Sequence, residues 1–323
     1  MSEFDLINHF FKTTTIKRED VLLGIGDDCA ILSPPPGKQL AVSTDTLISG
    51  VHFPESTCAE DIGYKSLAVN LSDLAAMGAA PAWVSLAISL PQADDVWLKA
   101  FMRGFNSLAE KYNVSLIGGD TTQGQLSISI NITGFIDADK SLKRSCANIG
   151  DSIFVTGNIG DATIGLKAVF NKLDAADTFS EKNKNFCINR LNRPTPRVKA
   201  GQLLSEFSVA AIDISDGLLA DLNHICEASD VGALLNLQQI PLSESVQNYY
   251  NDKPNWQSVL TGGDDYELCF TCPDNQYAEM LALMESHKIN INCIGKIIEG
   301  SGIQCLHNNQ LISLNPSGYN HFK

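Results

Sequence analysis

Acidic residues placed beside glycines or small hydroxyl residues recur along this 323-residue chain. In the stretch LLGIGDDCAIL, two glycines lead directly into Asp27 and Asp28. Unpaired carboxylates brought together would repel one another, whereas a hard divalent cation such as Mg²⁺ removes that repulsion. Similar segments contain Asp45 in VSTDTL, Asp73 in NLSDL, Asp120 in LIGGD, Asp213 and Asp216 in AIDISDGL, and Asp264 and Asp265 in TGGDDYEL.

Each of these aspartates also has a structural interpretation. Asp216 precedes GLLADL and could simply cap a helix, and Asp-Asp after Gly-Gly is ordinary turn chemistry. Several such segments in one chain favour a shared site, where glycines let backbone N–H groups approach phosphate oxygens. The chain has no Gly-x4-Gly-Lys-Ser/Thr loop and no His-Arg-Asp or Asp-Phe-Gly motif. The pattern therefore predicts a magnesium-bound nucleotide held by a different architecture.

The composition is that of a globular protein, with 44% apolar and 19% charged residues. A formal net charge of −14 predicts neither nucleic acid nor an anionic membrane as partner. No apolar run reaches the roughly 18 residues of a membrane span, and the N-terminus lacks a secretory pattern. Nine cysteines without framework spacing predict reduced thiols in a cytoplasmic protein. Cys269 and Cys272 fall in a predicted buried strand rather than a zinc or redox site.

Hydrophobic periodicity predicts the elements that must position these residues. Residues 81–91 and 125–136 alternate apolar and small polar side chains, which predicts strands with one buried face. Apolar residues recur at helical spacing in 59–79, 96–113 and 217–229, which predicts amphipathic helices.

The polar stretch 137–151 interrupts this periodicity and predicts a domain boundary. We place one domain at 1–138 and the other at 139–323, each with its own core. After the boundary a strand at 152–157 and a loop and helix at 158–170 restart the pattern. Because strands and helices do not alternate regularly, the fold class predicted is α+β in two domains.

Taken in order, the motifs resemble the thiamine-monophosphate kinase family of the aminoimidazole-ribotide synthetase-like ATP-binding superfamily. The resemblance runs from about residue 3 to 322, and STDTLISGVHF with a C-terminal GYNHF is its most specific part. The segments that carry it are GIGDDCA, STDTLISGVHF, NLSDLAAMGAAP, LIGGDTT, DISDGLLADL, TGGDDYEL and NPSGYNHF.

The resemblance implies ATP-dependent phosphorylation of thiamine monophosphate to thiamine diphosphate, the final step in making that cofactor. Transfer would be direct, in line and magnesium-assisted, without a residue acting as general base. It further implies a homodimer in which the N-terminal sheet-and-helix domains form a shared barrel. A C-terminal α+β sandwich domain would complete the nucleotide and substrate site.

Site residues are implied by the same resemblance, position by position. Several Mg²⁺ ions would be held by Asp27, Ser43, Thr44, Asp45, Asp73, Asp120, Asp213 and Asp216. ATP would be contacted by Gly119, Asp120, Arg144 and Ser215. Thiamine monophosphate would be contacted by His52, Asp264 and Tyr319. The chain departs from the family's frequent Glu and Trp at Asp264 and Tyr319, which shortens one carboxylate and shrinks one stacking face.

Two alternatives stay open on the sequence. The first is another activity of the superfamily: aminoimidazole-ribotide synthetase, selenophosphate synthetase or a hydrogenase-maturation protein. A selenophosphate synthetase should carry a reactive cysteine close to the N-terminus, whereas the earliest cysteine here, Cys29, follows the first aspartate pair. A hydrogenase-maturation protein should end in a cysteine tail, whereas this chain ends GYNHFK. The second alternative is a non-catalytic nucleotide- or calcium-binding module, although no EF-hand loop occurs.

Overall fold

A computed structural model describes residues 6–12, 16–174, 179–316 and 318. The chain divides into two compact units. The first comprises Met1–Leu74 and Ala79–Asp139, and the second comprises Ala75–Gly78 and Lys140–Lys323. No helix in the described ranges combines the length and apolar character that crossing a membrane requires.

A four-stranded sheet is the frame of the first unit, as far as its described residues go. A π-helical turn, Ile7–Lys12, and a small pair of strands, β1 (Val21–Leu23) and β2 (Ile31–Leu32), precede it. The sheet has the order β3-β6-β4-β5, in which only β4 and β5 run parallel. Its strands are β3 (Lys38–Ile48), β4 (Ala80–Leu90), β5 (Ser115–Gln123) and β6 (Ser127–Asp137).

One face of this sheet is buried. On β6, Ile128, Ile130 and Ile132 are fully buried, and the polar residues between them are only half-buried. Two helices accompany the sheet, α1 (Ala59–Ala76) and α2 (Asp95–Tyr112). The strands predicted at 81–91 and 125–136, and the helices predicted at 59–79 and 96–113, are thus confirmed to within a few residues.

A larger mixed sheet organises the second unit. Its order among the described residues is β13-β12-β9-β11-β7-β10-β8, and β12–β9 is its parallel pair. The strands are β7 (Ser152–Thr156), β8 (Ala211–Asp213), β9 (Gly232–Asn236), β10 (Leu268–Cys272), β11 (Ile291–Ile298), β12 (Gly302–His307) and β13 (Gln310–Ile312). The mainly antiparallel pairing confirms an α+β fold rather than a doubly wound parallel one.

The helices of the second unit are α3 (Asp161–Val169), α4 (Glu181–Asn192), α5 (Val198–Leu204), α6 (Leu218–Ser229), α7 (Glu244–Tyr250), α8 (Trp256–Thr261) and α9 (Tyr277–Ser286), with short 3₁₀ turns at Arg144–Cys146 and Leu237–Gln239. Residues of α3, α4, α6, α7 and α8 contribute to an apolar core with the sheet. The predicted elements at 152–157, 158–170 and 217–229 correspond to β7, α3 and α6. Cys269 and Cys272 lie fully buried in β10 as free thiols, as predicted.

Candidate functional site

Strand β3 and helix α1 bring two of the expected metal ligands into contact. The Ser43 hydroxyl donates a hydrogen bond to the Asp73 carboxylate. Because side chains two residues apart on a strand share a face, Asp45 lies on the same side of β3 as Ser43. Both Asp45 and Asp73 are half-buried. Serine and two aspartates thus present oxygen atoms in one neighbourhood, the donor chemistry that Mg²⁺ prefers.

Thr44 has a different environment from Ser43 and Asp45. Its side chain lies on the other face of β3, where its hydroxyl accepts a 2.7 Å hydrogen bond from the Asn131 side-chain amide. The structure therefore brings Ser43 and Asp73 together but does not bring the Thr44 hydroxyl to them.

A second group of site residues lines a cavity of about 750 Å³ within the first unit. Asp27 and Asp28 approach it from the loop between β1 and β2, and Gly119 and Asp120 from strand β5. Lys12, at the end of the π-helical turn, is the one basic residue in the described lining. Its ammonium lies over Gly26, since a Cβ built there would be 2.6 Å from Nζ.

The glycine before Asp120 allows a close approach between two strands. Gly119 has φ +152°, and a Cβ there would lie 1.8 Å from the Leu86 carbonyl oxygen on β4. Asp120 follows within the strand, opposite Ala87, and its side chain is exposed. Asp45 lies within β3 and Asp120 within β5, because the ladder continues past each of them.

The two groups lie at opposite edges of the sheet. Strand β3 with Asp45 and strand β5 with Asp120 are separated by β6 and β4. Three interstrand spacings amount to roughly 14 Å. In keeping with this separation, no group of three His, Cys, Asp or Glu side chains among the described residues is arranged to hold a metal ion.

His52 lies in the loop that follows β3. Its ring Nδ1 accepts a 3.0 Å hydrogen bond from the Ile48 backbone N–H. The backbone N–H of His52 donates to the Ile48 carbonyl, also at 3.0 Å. With Nδ1 accepting, the ring proton of the neutral imidazole is on Nε2. The loop therefore fixes His52 close to the end of the strand that carries Asp45.

In the second unit, two of the signature loops are joined through their backbones. The Asp264 N–H donates to the Ser215 carbonyl at 2.9 Å, and the Tyr266 N–H donates to the Ile214 carbonyl at 2.8 Å. Gly263 permits this approach, because a Cβ there would lie 2.3 Å from the Ser215 oxygen. Asp264 of TGGDDYEL is therefore a neighbour of Ser215 and Asp216 of DISDGLLADL.

The C-terminal motif joins the same neighbourhood. The Gln257 side chain both donates to the Asn315 carbonyl at 2.8 Å and accepts from the Asn315 N–H at 2.9 Å. Gly318 then packs against Asp216, since a Cβ at Gly318 would be 2.9 Å from the Asp216 carbonyl oxygen. Tyr319 lies outside the described residues.

The N-cap position of helix α6 is Gly217, one residue after Asp216, and Gly217 has no side chain that could accept a capping hydrogen bond. Instead, Oδ2 of Asp221 accepts from the N–H groups of Ser215, Asp216 and Gly217 at 3.0, 3.0 and 3.1 Å. Burial, followed by the charge of Asp213, raises the pKa of Asp221 to about 8. Asp213 ends strand β8 and is itself buried.

The remaining acidic residues of TGGDDYEL have structural partners. Asp265 is fully buried and accepts from the backbone N–H groups of Gly160 and Ala162, at the start of α3. Burial raises the pKa of Asp265 to about 8. Glu267 accepts hydrogen bonds from Arg190 at 2.9 Å and from Arg197 at 2.5 and 2.6 Å. These two carboxylates support the fold, and Asp264 is left as the ligand candidate.

Arg144 begins a short 3₁₀ turn and is exposed. Its carbonyl accepts a 2.8 Å hydrogen bond from the Ser229 hydroxyl, which fixes the backbone. Its guanidinium has no ion pair with any residue that the structure describes. An unpaired guanidinium on a fixed turn is suited to binding a phosphate group.

Sequence reasoning missed Lys12 and Asp221. Lys12 is a single lysine in an apolar N-terminal segment, and only the cavity reveals its position. Asp221 could have been found, because it follows DISDGLLA at the spacing that places a first-turn carboxylate beside the N–H groups ahead of the helix.

Comparison with known proteins finds two matching domain families. Residues 26–136 match the AIR synthase related protein N-terminal domain, and residues 148–308 match the corresponding C-terminal domain. A curated thiamine-monophosphate kinase of Escherichia coli strain K12 is 43% identical over 321 residues, covering 99% of this chain and 98% of that protein.

Solved structures are similar over nearly the whole chain. A thiamine-monophosphate kinase from Stenotrophomonas maltophilia K279a superposes with a TM-score of 0.86 at 45% identity, covering 94% of this chain and 96% of that one. A complex described as AaThiL with AMPPCP and TMP gives a TM-score of 0.77 at 30% identity, covering 99% and 97%.

Proposed function

The chain belongs to the thiamine-monophosphate kinase family, and on that premise we propose that it transfers the γ-phosphoryl group of ATP to thiamine monophosphate. The products are thiamine diphosphate and ADP. The observation that carries this conclusion is the 43% sequence identity, over 99% of this chain, with a curated thiamine-monophosphate kinase. The related structure that holds both AMPPCP and TMP supports the same pair of substrates.

The oxygen-donor set of the first unit fits Mg²⁺. Asp45 and Asp73, with the Ser43 hydroxyl, would hold one part of the metal array, and Asp27 and Asp120 another. Asp213 and Asp216 of the second unit, and Thr44 through its backbone oxygen, complete the proposed set. When bound, Mg²⁺ neutralises charge on the transferring phosphoryl group.

The protein's own contribution to the reaction is binding and orientation. The acceptor phosphate has a second pKa near 6, so it is largely ionised at neutral pH and requires no general base. In-line transfer then depends on holding acceptor and donor phosphates at reacting distance. In this proposal no residue acts as a nucleophile, and no phosphoenzyme is formed.

Contacts to ATP are proposed for Gly119, Asp120, Arg144 and Ser215. Gly119 packs directly against the Leu86 carbonyl on β4, and Arg144 supplies a guanidinium that has no ion pair among the described residues. We add Lys12, which lines the same cavity as Asp27 and Asp120 and whose ammonium can bind phosphate oxygens.

Contacts to thiamine monophosphate are proposed for His52, Asp264 and Tyr319. The backbone bonds of His52 and Asp264 hold both residues in fixed loops. An aromatic residue such as Tyr319 would cover the flat heterocycle.

We also propose a homodimer built through the N-terminal sheets. Strand β3 is an 11-residue edge strand of the described sheet, and on its exposed face Leu40 and Val42 are 51% and 60% exposed. Such an edge is a template for pairing with another strand. A second copy would also remedy the separation of Asp45 and Asp120, because a barrel would bring the edge strands of two sheets together.

Two measurements test the dimer. Val42→Lys should convert a dimeric mass, measured by light scattering, into a monomeric one, whereas Val96→Lys on helix α2 should not. If the site is shared, mixing inactive Asp45→Asn and Asp120→Asn chains after subunit exchange should restore up to about one quarter of the activity. A fully active monomer would contradict the dimer proposal, and a dimer without restored activity would contradict only the shared site.

We propose a cytoplasmic location, which nine free cysteines support because a reducing compartment keeps thiols unpaired.

We also propose that residues 1–138 bind metal and ATP and form the dimer, and that residues 139–323 complete the nucleotide and substrate site.

The deciding experiment measures ADP release from purified protein with thiamine monophosphate, with and without Mg²⁺. We expect release only when ATP, thiamine monophosphate and Mg²⁺ are all present, with thiamine diphosphate formed in equal amount. ADP release with an aminoimidazole-ribotide precursor instead would favour a superfamily relative. Stable label on the protein after incubation with γ-labelled ATP would exclude direct transfer.

A further inference from the structure

The end of strand β8 and the loop that joins it to helix α6 carry three proposed ligands, Asp213, Ser215 and Asp216. We propose that Asp221 is a positioning residue that holds this loop in its binding shape and reserves it for cation-mediated contact with ATP. Asp221 itself would touch neither ATP nor the cation. This inference rests on the proposed role of the loop in binding Mg²⁺ and ATP.

The first observation is the convergence of three backbone N–H groups on one carboxylate oxygen. Ser215, Asp216 and Gly217 all donate to Oδ2 of Asp221, at 3.0 to 3.1 Å. Asp221 is 2% exposed, so this carboxylate is not satisfied by bulk water. A buried carboxyl group that lost such partners, or N–H groups that lost the carboxyl oxygen, would remain unsatisfied, which disfavours any other arrangement of the loop.

The second observation is that the opposite side of the loop is also fixed. The carbonyls of Ile214 and Ser215 accept from the N–H groups of Tyr266 and Asp264, and the Ile214 N–H donates to the Glu267 carbonyl at 2.8 Å. Gly217 has φ +113°, and a Cβ there would lie 2.7 Å from the Thr261 carbonyl carbon. The backbone therefore has one arrangement, held by Asp221 on one side and by the 261–267 segment on the other.

The consequence concerns how phosphate can be bound. In glycine-rich phosphate loops, successive backbone N–H groups before a helix cradle the anion directly. Here the same groups are already bonded to Asp221, whose carboxyl oxygen occupies the position that a bound anion would take. The loop can then contact a polyphosphate only through the side chains of Asp213, Ser215 and Asp216, and the two carboxylates require a cation in between.

The sequence expectation that glycine turns would offer N–H groups to phosphate is therefore wrong for this loop. Gly217 serves close packing against Thr261 rather than phosphate binding. The physical reason is that Asp221, one helical turn further along, competes successfully for the same donors.

The test compares Asp221→Asn and Asp221→Ala with Asn223→Ala as matched control. Asn223 lies on the same helix, and its side-chain amide donates a hydrogen bond to the exposed Glu227. Three quantities are measured: the Mg²⁺ concentration for half-maximal rate, the KM for each substrate, and the unfolding temperature. Calorimetric titration of ATP in the presence of Mg²⁺ gives the affinity without requiring turnover.

We expect Asp221→Asn to raise the half-saturating Mg²⁺ concentration and the KM for ATP about tenfold, as loss of an outer-shell partner does at metal sites. The KM for thiamine monophosphate should change less than twofold, and Asn223→Ala should leave all constants unchanged. Asp221→Ala should show a larger effect or fail to fold, in which case Asp221→Asn decides the matter.

Two outcomes would overturn the inference and leave the proposed function intact. One is a lower unfolding temperature with unchanged Mg²⁺ and ATP dependence, which would make Asp221 merely structural. The other is an equal rise in both substrate KM values. A wild-type protein that binds ATP but never phosphorylates thiamine monophosphate would instead overturn the proposed function, and the calorimetric comparison would still judge Asp221.

Discussion

The acidic residues of the two units have different surroundings, although similar sequence motifs encode both. In the first unit, Asp27 and Asp120 are exposed at a cavity, and Asp45 and Asp73 are half-buried. In the second unit, Asp161, Asp221, Asp265 and Glu267 are at most 2% exposed and bind backbone N–H groups, hydroxyls or arginines. An acidic motif therefore overstates the number of carboxylates that can reach a ligand, and the hydrogen-bond partners of these four buried residues identify them as structural.

This contrast is tested most strongly at Glu267. Glu267→Gln removes the charge that compensates Arg190 and Arg197, and we expect a loss of about 3–5 kcal/mol in the free energy of unfolding. Chemical denaturation measures it, with the exposed Glu227→Gln as control. A variant as stable as the wild type but catalytically dead would assign Glu267 to the reaction rather than to the fold.

The opposite result is expected at Asp120. Asp120→Asn should lower kcat/KM at least about 100-fold, equivalent to about 2.7 kcal/mol, because it removes a charged ligand of the proposed metal array. The unfolding temperature should change little, since the side chain is exposed. Asp95→Asn, an exposed aspartate at the start of helix α2, serves as control. Full activity of Asp120→Asn would remove Asp120 from the site.

A smaller effect is expected at Lys12. Lys12→Ala should raise the KM for ATP about tenfold, because one charge-assisted contact to phosphate is lost. Lys12→Arg should retain most of the affinity, and Lys111→Ala on helix α2 should behave as wild type. If Lys12→Ala instead improves Mg²⁺ binding without affecting ATP, the lysine only balances the nearby carboxylates.

The smallest effect concerns Asp20, a carboxylate of the first unit that is structural. It accepts hydrogen bonds from Arg18 and, at 2.9 Å, from the Trp83 indole N–H. The hydrogen bond from Arg18 holds the pKa of Asp20 below its usual value of 3.8. Its stabilising contribution is therefore present above about pH 4 and is lost as the pH falls through the lowered pKa.

We accordingly expect Asp20→Asn to lower the free energy of unfolding by about 1–2 kcal/mol at pH 7 and by less in acid. Denaturation at several pH values measures the difference, and activity at pH 7 should be unaffected. A stability difference that grows as the pH falls would contradict the assigned direction of the pKa shift.

Prediction from the sequence was most successful where a residue's role depends on its immediate neighbours. The periodicity of 125–136 determined strand β6, because alternation of isoleucine with small polar residues is stable only with one face buried. The helix at 96–113 was also predictable from its local pattern. Its cap is local too, because the Asp94 side chain accepts from the N–H groups of Val96 and Trp97. The family's motifs supplied the candidate site residues together, without distinguishing ligands from residues that support the fold.

Within TGGDDYEL, the sequence does not distinguish three acidic residues that the structure separates. Asp264 has a backbone bond to the Ser215 loop, Asp265 binds the start of α3, and Glu267 binds two arginines from distant positions in the chain. These partners lie between 49 and 105 residues away, so no local pattern encodes them.

By itself, the sequence determined the α+β class, the main strands and helices and the carboxylate-rich chemistry, because these follow from side-chain periodicity and residue type. Only the tertiary structure decided which carboxylates remain accessible, that Asp45 and Asp120 occupy opposite sheet edges, and that Asp221 takes the N–H groups of the 215–217 loop. Strand order and long-range hydrogen bonds set those outcomes, and both depend on residues far apart in the chain.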